Sequence, residues 1–189
     1  MIVVIDNGGQ FTHLEGRALR EMGVDNRVVD SETPVDEVLP EADGIVLSGG
    51  PSMDGAGNSA EYLEADVPVL GICLGHQIIG EQFGGVVGAG EYGGYADVEV
   101  EILDDSGVLA GLGDTVSAWA SHADELKEVP DGFVRTARSD VCEVEAMRHE
   151  SRPIYGVQWH PEVSHTEKGE VIFENFVEIA ERHKKKAAD

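Results

Sequence analysis

The sequence predicts an α/β fold: one open, twisted, mostly parallel sheet that is flanked by helices and extended by antiparallel strands in its C-terminal half. Three observations lead to this prediction. Short apolar runs alternate with segments of helical periodicity through the first half of the chain, which is typical of parallel strands joined by helices. Polar and glycine-rich turns follow these runs directly. The second half carries short strand patterns that are separated by turns rather than by helices.

The first half is defined by its apolar runs. The run Ile2-Val-Val-Ile5 is continuous, as in a strand that is buried on both faces. Apolar residues recur at helical spacing from Phe11 to Met22, and Gly23 is a typical helix end. Strands are also expected at residues 27–30, 44–48 and 67–72, followed by a helix at 74–83. These elements predict a doubly wound sheet whose ligands bind at the carboxyl ends of its strands.

The second half supplies strands of a different kind. Residues 96–102 alternate apolar and acidic side chains, which predicts a half-exposed strand. Further short strands are expected at 115–119, 133–137, 142–147 and 154–157, either in the same sheet or in a small one beside it. The last element is a helix at 167–185 with an apolar stripe through Ile172 and Phe176. Residues 184–189 are expected to form a flexible tail.

Length and composition fit a single domain over residues 1–189. The chain is long enough to bury a core, and 41% of its residues are hydrophobic. No apolar run approaches the roughly 18 residues that a membrane span requires, and the N-terminus lacks the pattern of a signal peptide. The chain has two cysteines, so a disulfide framework is not expected. The cytoplasm is therefore the expected location.

The charge balance is strongly acidic. The chain has 37 Asp and Glu residues against 13 Lys and Arg residues, for a formal net charge of −24. This field repels nucleic acids and anionic membranes, so neither is expected as a partner. Self-repulsion destabilises the compact state unless salt screens it, and near 1 M salt the screening length falls to about 3 Å. The composition therefore favours a salt-adapted, halophilic protein over one that is acidic only for solubility.

Cys73 lies at the point where an apolar run ends. Residues 69–72 resemble the end of a buried strand, and a helical pattern begins at Leu74. Gly71 and Gly75 flank the cysteine at the spacing of the G-x-S-x-G nucleophile elbow, a turn that is too sharp for flanking side chains. Cys73 is therefore a candidate nucleophile, and a buried structural cysteine is the alternative.

The segment His160-Pro-Glu162 offers the base that a cysteine nucleophile needs. It follows the strand expected at 154–157, and its proline favours an extended backbone that leaves both flanking side chains on one side. His160 would hold Cys73 as a thiolate while Glu162 orients the imidazole. A surface loop is one alternative. A metal site built from His160, Glu162 and His165 is another, but the spacing H-x-E-x-x-H is not a zinc-protease motif, and no metal is predicted.

The turn Ser48-Gly-Gly-Pro51 is a third feature at a strand end. Adjacent glycines let backbone N–H groups approach a ligand closely, and such donors would stabilise an oxyanion formed when Cys73 attacks a carbonyl. A plain tight turn and a phosphate cradle are the alternatives. The cradle is disfavoured because the motif G-x-x-x-x-G-K-S/T is absent.

Taken together, these residues resemble the class I (triad) glutamine amidotransferase family and its fold. The resemblance covers nearly the whole chain and rests on three motifs in order, Ser48-Gly-Gly-Pro51, Gly71-Ile-Cys-Leu-Gly-His-Gln77 and His160-Pro-Glu162. Within that family, the sequence is most similar to the glutaminase subunits of GMP synthetases. Four segments carry this closer similarity: Ile5-Asp-Asn-Gly-Gly-Gln10, Glu91-Tyr-Gly93, Trp119-Ala-Ser-His122 with Asp124, and His160-Pro-Glu-Val-Ser-His-Thr-Glu167.

The resemblance implies a role for each matching residue. It makes Cys73 the nucleophile, His160 the general base and acid, and Glu162 the residue that orients His160. The backbone N–H groups of Gly50 and Leu74 would stabilise the oxyanion. The residues that would bind the amino-acid end of glutamine are Gln77, Ser121, His122, Ala123 and Asp124.

Two positions depart from the family pattern. Trp159 stands where phenylalanine is common before the histidine, a conservative change that leaves the triad intact. Ala123 stands where glycine is common, which puts a close approach of that backbone to the ligand in doubt.

The resemblance also implies a reaction and a partner. Glutamine is hydrolysed to glutamate and ammonia, and the ammonia passes to a separate ATP-pyrophosphatase subunit that aminates XMP to GMP. ATP and Mg are expected on that synthetase subunit, and no cofactor is expected in this chain. We expect docking of the partner to gate the triad, with Cys73 and His160 poised only in the complex. A glutaminase subunit of anthranilate or aminodeoxychorismate synthase and a non-catalytic regulatory protein of the same fold are the alternatives.

Overall fold

The computed structural model describes residues 1–189 except for the side chains of residues 92–95, so residues 92 and 93 of the Glu91-Tyr-Gly93 motif lie outside the described residues. Over the described backbone, nine strands form one mixed sheet in the order β2-β1-β3-β4-β9-β8-β7-β5-β6. The strands are β1 Ile2–Asp6, β2 Asn26–Asp30, β3 Gly44–Leu47, β4 Val69–Ile72, β5 Val86–Ile102, β6 Thr115–Glu128, β7 Phe133–Arg138, β8 Ala146–His149 and β9 Ile154–Val157. The α-helices are α1 Thr12–Glu21, α2 Val35–Val38, α3 Leu74–Gln82 and α4 Gly169–Ala188. Short 3₁₀ helices lie at Leu39–Glu41, Met53–Gly55, Ser59–Glu64 and Gly107–Leu109.

The central parallel strands β1, β3, β4 and β9 are buried on both faces, whereas the edge strand β2 is half-exposed. β2, β1, β3, β4 and β9 are consecutive in the sheet, and each adjacent pair among these five strands is parallel. Side chains alternate between two hydrophobic clusters along β1: Ile2 and Val4 belong to one cluster, and Val3 and Ile5 belong to the other. Helices α1 and α4 supply Leu19, Phe173 and Phe176 to the first cluster, and α3 supplies Ile78 and Ile79 to the second. Because helices cover both faces, the strand residues are apolar in continuous runs, as predicted.

The antiparallel half belongs to the same sheet, which decides between the two arrangements left open by the sequence. β8 pairs with β9 and β7, and β5 pairs with β7 and β6. The prediction of a strand at 142–147 was wrong in its first four residues, because the strand begins only at Ala146. The hydroxyl of Ser139 accepts hydrogen bonds from the backbone N–H groups of Val141 and Cys142. These residues therefore form a turn and do not pair with a neighbouring strand.

The C-terminal helix α4 begins at Gly169, two residues later than predicted, and continues to Ala188. Its start is fixed by close packing: a Cβ at Gly169 would lie 1.9 Å from the carbonyl oxygen of Pro161. The flexibility of residues 184–189 stays a prediction. None of the described helices combines the length and the apolar character that a membrane crossing needs.

The strand order determines where the predicted site lies. β1, β3, β4 and β9 are consecutive parallel neighbours in the sheet. Their carboxyl ends therefore lie along one edge, and the segments that follow them begin with Asn7, Ser48, Cys73 and Gln158. Three motifs that are far apart in the sequence meet at this edge because their strands are neighbours.

Candidate active site

Cys73 occupies a strained turn between β4 and α3. Its backbone has φ 54° and ψ −103°, a left-handed conformation that costs a non-glycine residue about 1–3 kcal/mol. A Cβ at Gly71 would lie 2.5 Å from the backbone of Gly75, and a Cβ at Gly75 would lie 2.1 Å from the carbonyl oxygen of Leu47. The predicted elbow is confirmed, since side chains at these two positions would collide with backbone. Helix α3 begins directly after Cys73, so the cysteine lies at the positive N-terminal end of that helix.

His160 and Glu162 form a buried pair. The Nδ1 atom of His160 lies 2.6 Å from Oε1 of Glu162, and the side chains are 6% and 0% exposed. Burial alone would lower the pKa of His160, but hydrogen bonds to Cys73 and Glu162, together with the negative charges of these two groups, raise the pKa to about 11. The imidazole is therefore held in its protonated form, with Glu162 fixing its orientation.

Cys73 and His160 lie in the segments that follow two neighbouring strands, β4 and β9. The backbone N–H of Cys73 donates to the carbonyl of Val157 at 2.9 Å, which ties the end of β4 to the end of β9. A Cβ at Gly49 would lie 3.6 Å from Cβ of Cys73 and 3.2 Å from Cε1 of His160. The two side chains thus flank the same glycine and lie together in the single chain, contrary to the expectation that they would be poised only in the complex.

The loop after β3 is held in place by polar side chains beneath it. The N–H and the side-chain amide of Asn7 donate to the hydroxyl and the carbonyl of Ser48, both at 2.9 Å. Ser59 donates to the amide oxygen of Asn7 at 2.6 Å. A Cβ at Gly50 would lie 2.4 Å from the carbonyl oxygen of Asn7 and 2.7 Å from Cδ2 of Leu74. The two residues predicted to stabilise an oxyanion, Gly50 and Leu74, are therefore packed against each other.

Strand β6 closes the site from the other side. The thiol of Cys73 points at the carbonyl of Ser121, with a distance of 3.7 Å. The side-chain amide of Gln77 donates to the carbonyl of Asp124 at 2.8 Å, and Nδ1 of His122 lies 2.9 Å from the same oxygen. These contacts fix residues 121–124 beside the nucleophile.

One cavity of about 750 Å³ opens over Cys73. Every residue predicted for the site lines it: Cys73, His160, Glu162, Gly50, Leu74, Gln77, Ser121, His122, Ala123 and Asp124. Its volume lies within the usual range of small-molecule pockets.

Two residues in the site were not predicted. The side-chain amide of Gln158 donates to Sγ of Cys73 at 3.6 Å and accepts from Gln77 at 3.2 Å. The sequence feature that could have indicated it is a polar residue between the apolar residues of β9 and Trp159. Glu15 lines the same cavity from α1. The sequence feature that could have indicated Glu15 is an acidic residue on the apolar face of that helix, four residues from both Phe11 and Leu19.

His165 does not join the triad. Its ring lies against Trp119, with ring centroids 5.1 Å apart. Among the residues that the structure describes, no group of three or more His, Cys, Asp or Glu side chains is arranged to hold a metal ion.

Thr166 connects the triad to β6. Its hydroxyl donates to the carbonyl of His160 at 2.6 Å and accepts from the N–H of Trp119 at 3.0 Å. The N–H of His160 in turn donates to the carbonyl of Trp119 at 3.0 Å. The segment that carries the histidine is thus fastened to the strand that carries residues 121–124.

Replacing Thr166 by Val is expected to destabilise the protein by about 1–3 kcal/mol, because the buried carbonyl of His160 loses its donor and the half-buried N–H of Trp119 loses its acceptor while the side-chain volume is kept. We also expect slower glutamine turnover, since His160 loses one of its two anchors. Chemical denaturation and glutaminase assays of Thr166→Val measure both effects. Ser164→Ala, at an exposed residue of the same segment, is the matched control, and equal behaviour of the two variants would contradict the anchoring role.

The sheet topology, the cysteine elbow and the buried His–Glu pair together define an amidotransferase architecture. The model of the family "Glutamine amidotransferase class-I" matches residues 3–180, and the chain belongs to this family.

Several archaeal proteins are similar to this chain over nearly its whole length. The glutamine-hydrolyzing GMP synthase subunit of Haloarcula marismortui is 64% identical over 182 residues, which are 96% of this chain and 95% of that protein. The protein of the same name from Haloquadratum walsbyi is 60% identical over 177 residues, 93% of this chain and 96% of its own. A crystal structure of a candidate GMP synthase subunit from Thermoplasma acidophilum superimposes with a TM-score of 0.95 at 38% identity and covers 100% of this chain and 97% of that one. The two haloarchaeal relatives support the predicted salt adaptation.

Proposed function

We propose that this chain is the glutamine-hydrolysing subunit of a two-subunit GMP synthase, and that it releases ammonia from glutamine at Cys73. The observation that carries the proposal is the meeting of three groups in one cavity: a cysteine on a strained elbow, a buried His–Glu pair beside it, and a glycine loop packed against the start of α3. The names of relatives that are 60–64% identical over nearly the whole chain support the choice of reaction.

The reaction begins at the elbow. The Cys73 thiolate attacks the side-chain carbonyl carbon of glutamine, which forms a C–S bond and places negative charge on the carbonyl oxygen. The backbone N–H groups of Gly50 and Leu74 stabilise that charge, an effect worth about 10²-fold or more in rate for each donor. The C–N bond then breaks, and ammonia leaves with a proton from His160.

The second step hydrolyses the γ-glutamyl thioester. His160 takes a proton from an attacking water and returns it to the sulfur, so that the C–S bond breaks and glutamate leaves. Glu162 keeps Nδ1 of His160 as the donor throughout, which leaves Nε2 to exchange protons with the reacting groups.

The amino-acid end of glutamine binds against β6 and α3. Gln77 and residues 121–124 line the cavity next to Cys73. Because the N–H groups of Gln77 are engaged by Asp124 and Gln158, its main role is to hold the 121–124 segment at the correct distance from the nucleophile.

The ammonia passes to a separate synthetase subunit, which binds ATP and Mg and aminates XMP in the cytoplasm. This chain carries the glutaminase chemistry and leaves the ATP-dependent step to that partner. Docking of the partner at the open side of the cavity would couple glutamine hydrolysis to the presence of XMP and ATP.

One coupled assay tests the proposed function. The chain is mixed in molar salt with a candidate ATP-pyrophosphatase subunit, glutamine, ATP and XMP, and glutamate and GMP are measured. We expect equal amounts of glutamate and GMP, and much slower glutamate release when XMP or the partner is left out. Chorismate in place of XMP, with the corresponding synthase subunit, is the control for the two alternative pathways. Absence of glutamate release with every partner would instead support a non-catalytic regulatory protein.

A further inference from the structure

Glu15 is a buried acid that the reaction described above does not use. It lies on α1, on the same inner face as Thr12, Gly16 and Leu19, and is 1% exposed. Neither of its carboxyl oxygens makes a well-formed hydrogen bond with any residue that the structure describes. A buried carboxylate without a partner is so unfavourable that such groups take up a proton instead.

The Glu162 carboxylate of the triad lacks one hydrogen-bond donor. Oε1 of Glu162 is engaged by His160, whereas Oε2 of Glu162 is buried and has no donor within the described part of the chain. Glu15 and Glu162 line the same cavity. One protonated carboxyl group and one charged carboxylate would satisfy each other, since the acid can donate the bond that the carboxylate lacks.

The electrostatic surroundings favour the neutral form of Glu15. Burial raises the pKa of Glu15 well above its ordinary value of 4.5, and the charge of Glu162 raises it further. Asp6, at the end of β1, also raises the pKa, while His160 and the backbone amide of Gly49 offset part of the rise. The groups that face Glu15 from β1, the Gly49 loop and the His160 segment therefore leave a net preference for the protonated acid.

We propose that Glu15 is a positioning residue of the triad: as a neutral carboxylic acid, it donates a hydrogen bond to Oε2 of Glu162 and so holds Glu162 in place for His160. The proposal rests on the proposed glutaminase function. It extends the chain of contacts from Cys73 through His160 and Glu162 to α1. Ionisation of Glu15 would place two carboxylates side by side in a buried site, and their repulsion would move Glu162 away from His160.

Two substitutions separate hydrogen bonding from packing. Glu15→Gln keeps the shape, stays neutral at every pH and offers an N–H donor to Glu162. Glu15→Leu has a similar volume and no charge, but it cannot donate. Glu21→Gln changes the net charge equally at an exposed position of the same helix and serves as the control.

Glutamine turnover is measured across pH in the presence of the partner. We expect kcat of Glu15→Leu to fall roughly 10-fold or more, with little change in KM, because the buried oxygen of Glu162 is left unsatisfied. Glu15→Gln is expected to stay within about 3-fold of the wild type at neutral pH and to keep its activity to higher pH than the wild type. Wild-type kcat for Glu15→Leu, or equal damage in both variants, would overturn the proposal.

A second readout does not depend on activity. Glu15 has a higher pKa in the folded protein than in the unfolded chain, where its ordinary pKa is 4.5. Its contribution to the free energy of unfolding is therefore complete at a pH below 4.5, and it is lost as the pH rises through the pKa of the folded state. The melting temperature of Glu15→Gln, relative to that of the wild type, should therefore increase as pH rises. The same difference for Glu21→Gln should not change with pH. A constant difference across pH would overturn the proposal even if the wild type hydrolysed no glutamine, so failure of the proposed function is distinguished from failure of this inference.

Discussion

Cys73→Ala is expected to reduce glutamine hydrolysis by roughly 10⁴-fold or more while leaving the fold intact. The substitution removes the sulfur that forms the covalent bond with the carboxamide, and a triad that loses its nucleophile loses most of its rate enhancement. Alanine is smaller than cysteine and meets the same backbone strain at φ 54°, so the elbow itself should persist. Glutamate release and circular dichroism in molar salt measure the two properties.

The second cysteine provides the control for Cys73→Ala. Cys142 is also free and buried, but it does not line the cavity, and burial raises the pKa of its thiol. Cys142→Ala should therefore keep near-normal turnover. Hydrolysis that survives in Cys73→Ala but is lost in Cys142→Ala would contradict the assignment of the nucleophile.

Gly75→Ala is expected to cost at least about 3 kcal/mol of folding free energy, the largest stability loss that we predict for a single methyl group. Its Cβ would lie 2.1 Å from the carbonyl oxygen of Leu47 and 2.9 Å from Cβ of the same residue. Neither contact can be relieved by a side-chain rotation, because the first partner is backbone in the buried strand β3. The start of α3 would have to move away from the sheet, which would also displace Cys73 and Leu74.

Gly88→Ala is the matched control for Gly75→Ala. Gly88 lies in β5, where the nearest atoms to an added Cβ are Lys127 side-chain carbons at 3.8 and 3.9 Å. Denaturation curves of the two variants, measured at one fixed salt concentration, should differ by the full expected loss. If Gly75→Ala unfolded at the same denaturant concentration as Gly88→Ala, the close approach of α3 to β3 would be refuted.

The parts of the fold that could be predicted from the sequence are those where burial leaves one option. Continuous runs such as Ile2-Val-Val-Ile5 and the run before Cys73 predict strands covered on both faces, and the structure covers them with helices. The elbow was predicted because Gly71 and Gly75 are the residues that such a turn requires. Local chemistry determined these features, so local sequence was sufficient.

The parts that escaped prediction depend on contacts across the fold. β5 starts at Val86, ten residues before its alternating pattern begins, since its early residues are rich in glycine and are held by pairing with β6. The segment after Ser139 has the composition of a strand, but a serine hydroxyl takes its N–H groups. Gln158 and Glu15 gain their roles only from what packs against them, which the sequence alone does not show.

An isotope experiment tests the central claim, that ammonia released from glutamine at Cys73 is what the partner uses. The chain and its synthetase partner are given ATP, XMP and glutamine labelled with ¹⁵N in its side-chain amide, together with unlabelled ammonium, and the GMP formed is analysed by mass spectrometry. We predict GMP that carries ¹⁵N with the wild-type chain and unlabelled GMP with Cys73→Ala. Labelled GMP from the Cys73→Ala complex, or unlabelled GMP from the wild-type complex, would contradict the account.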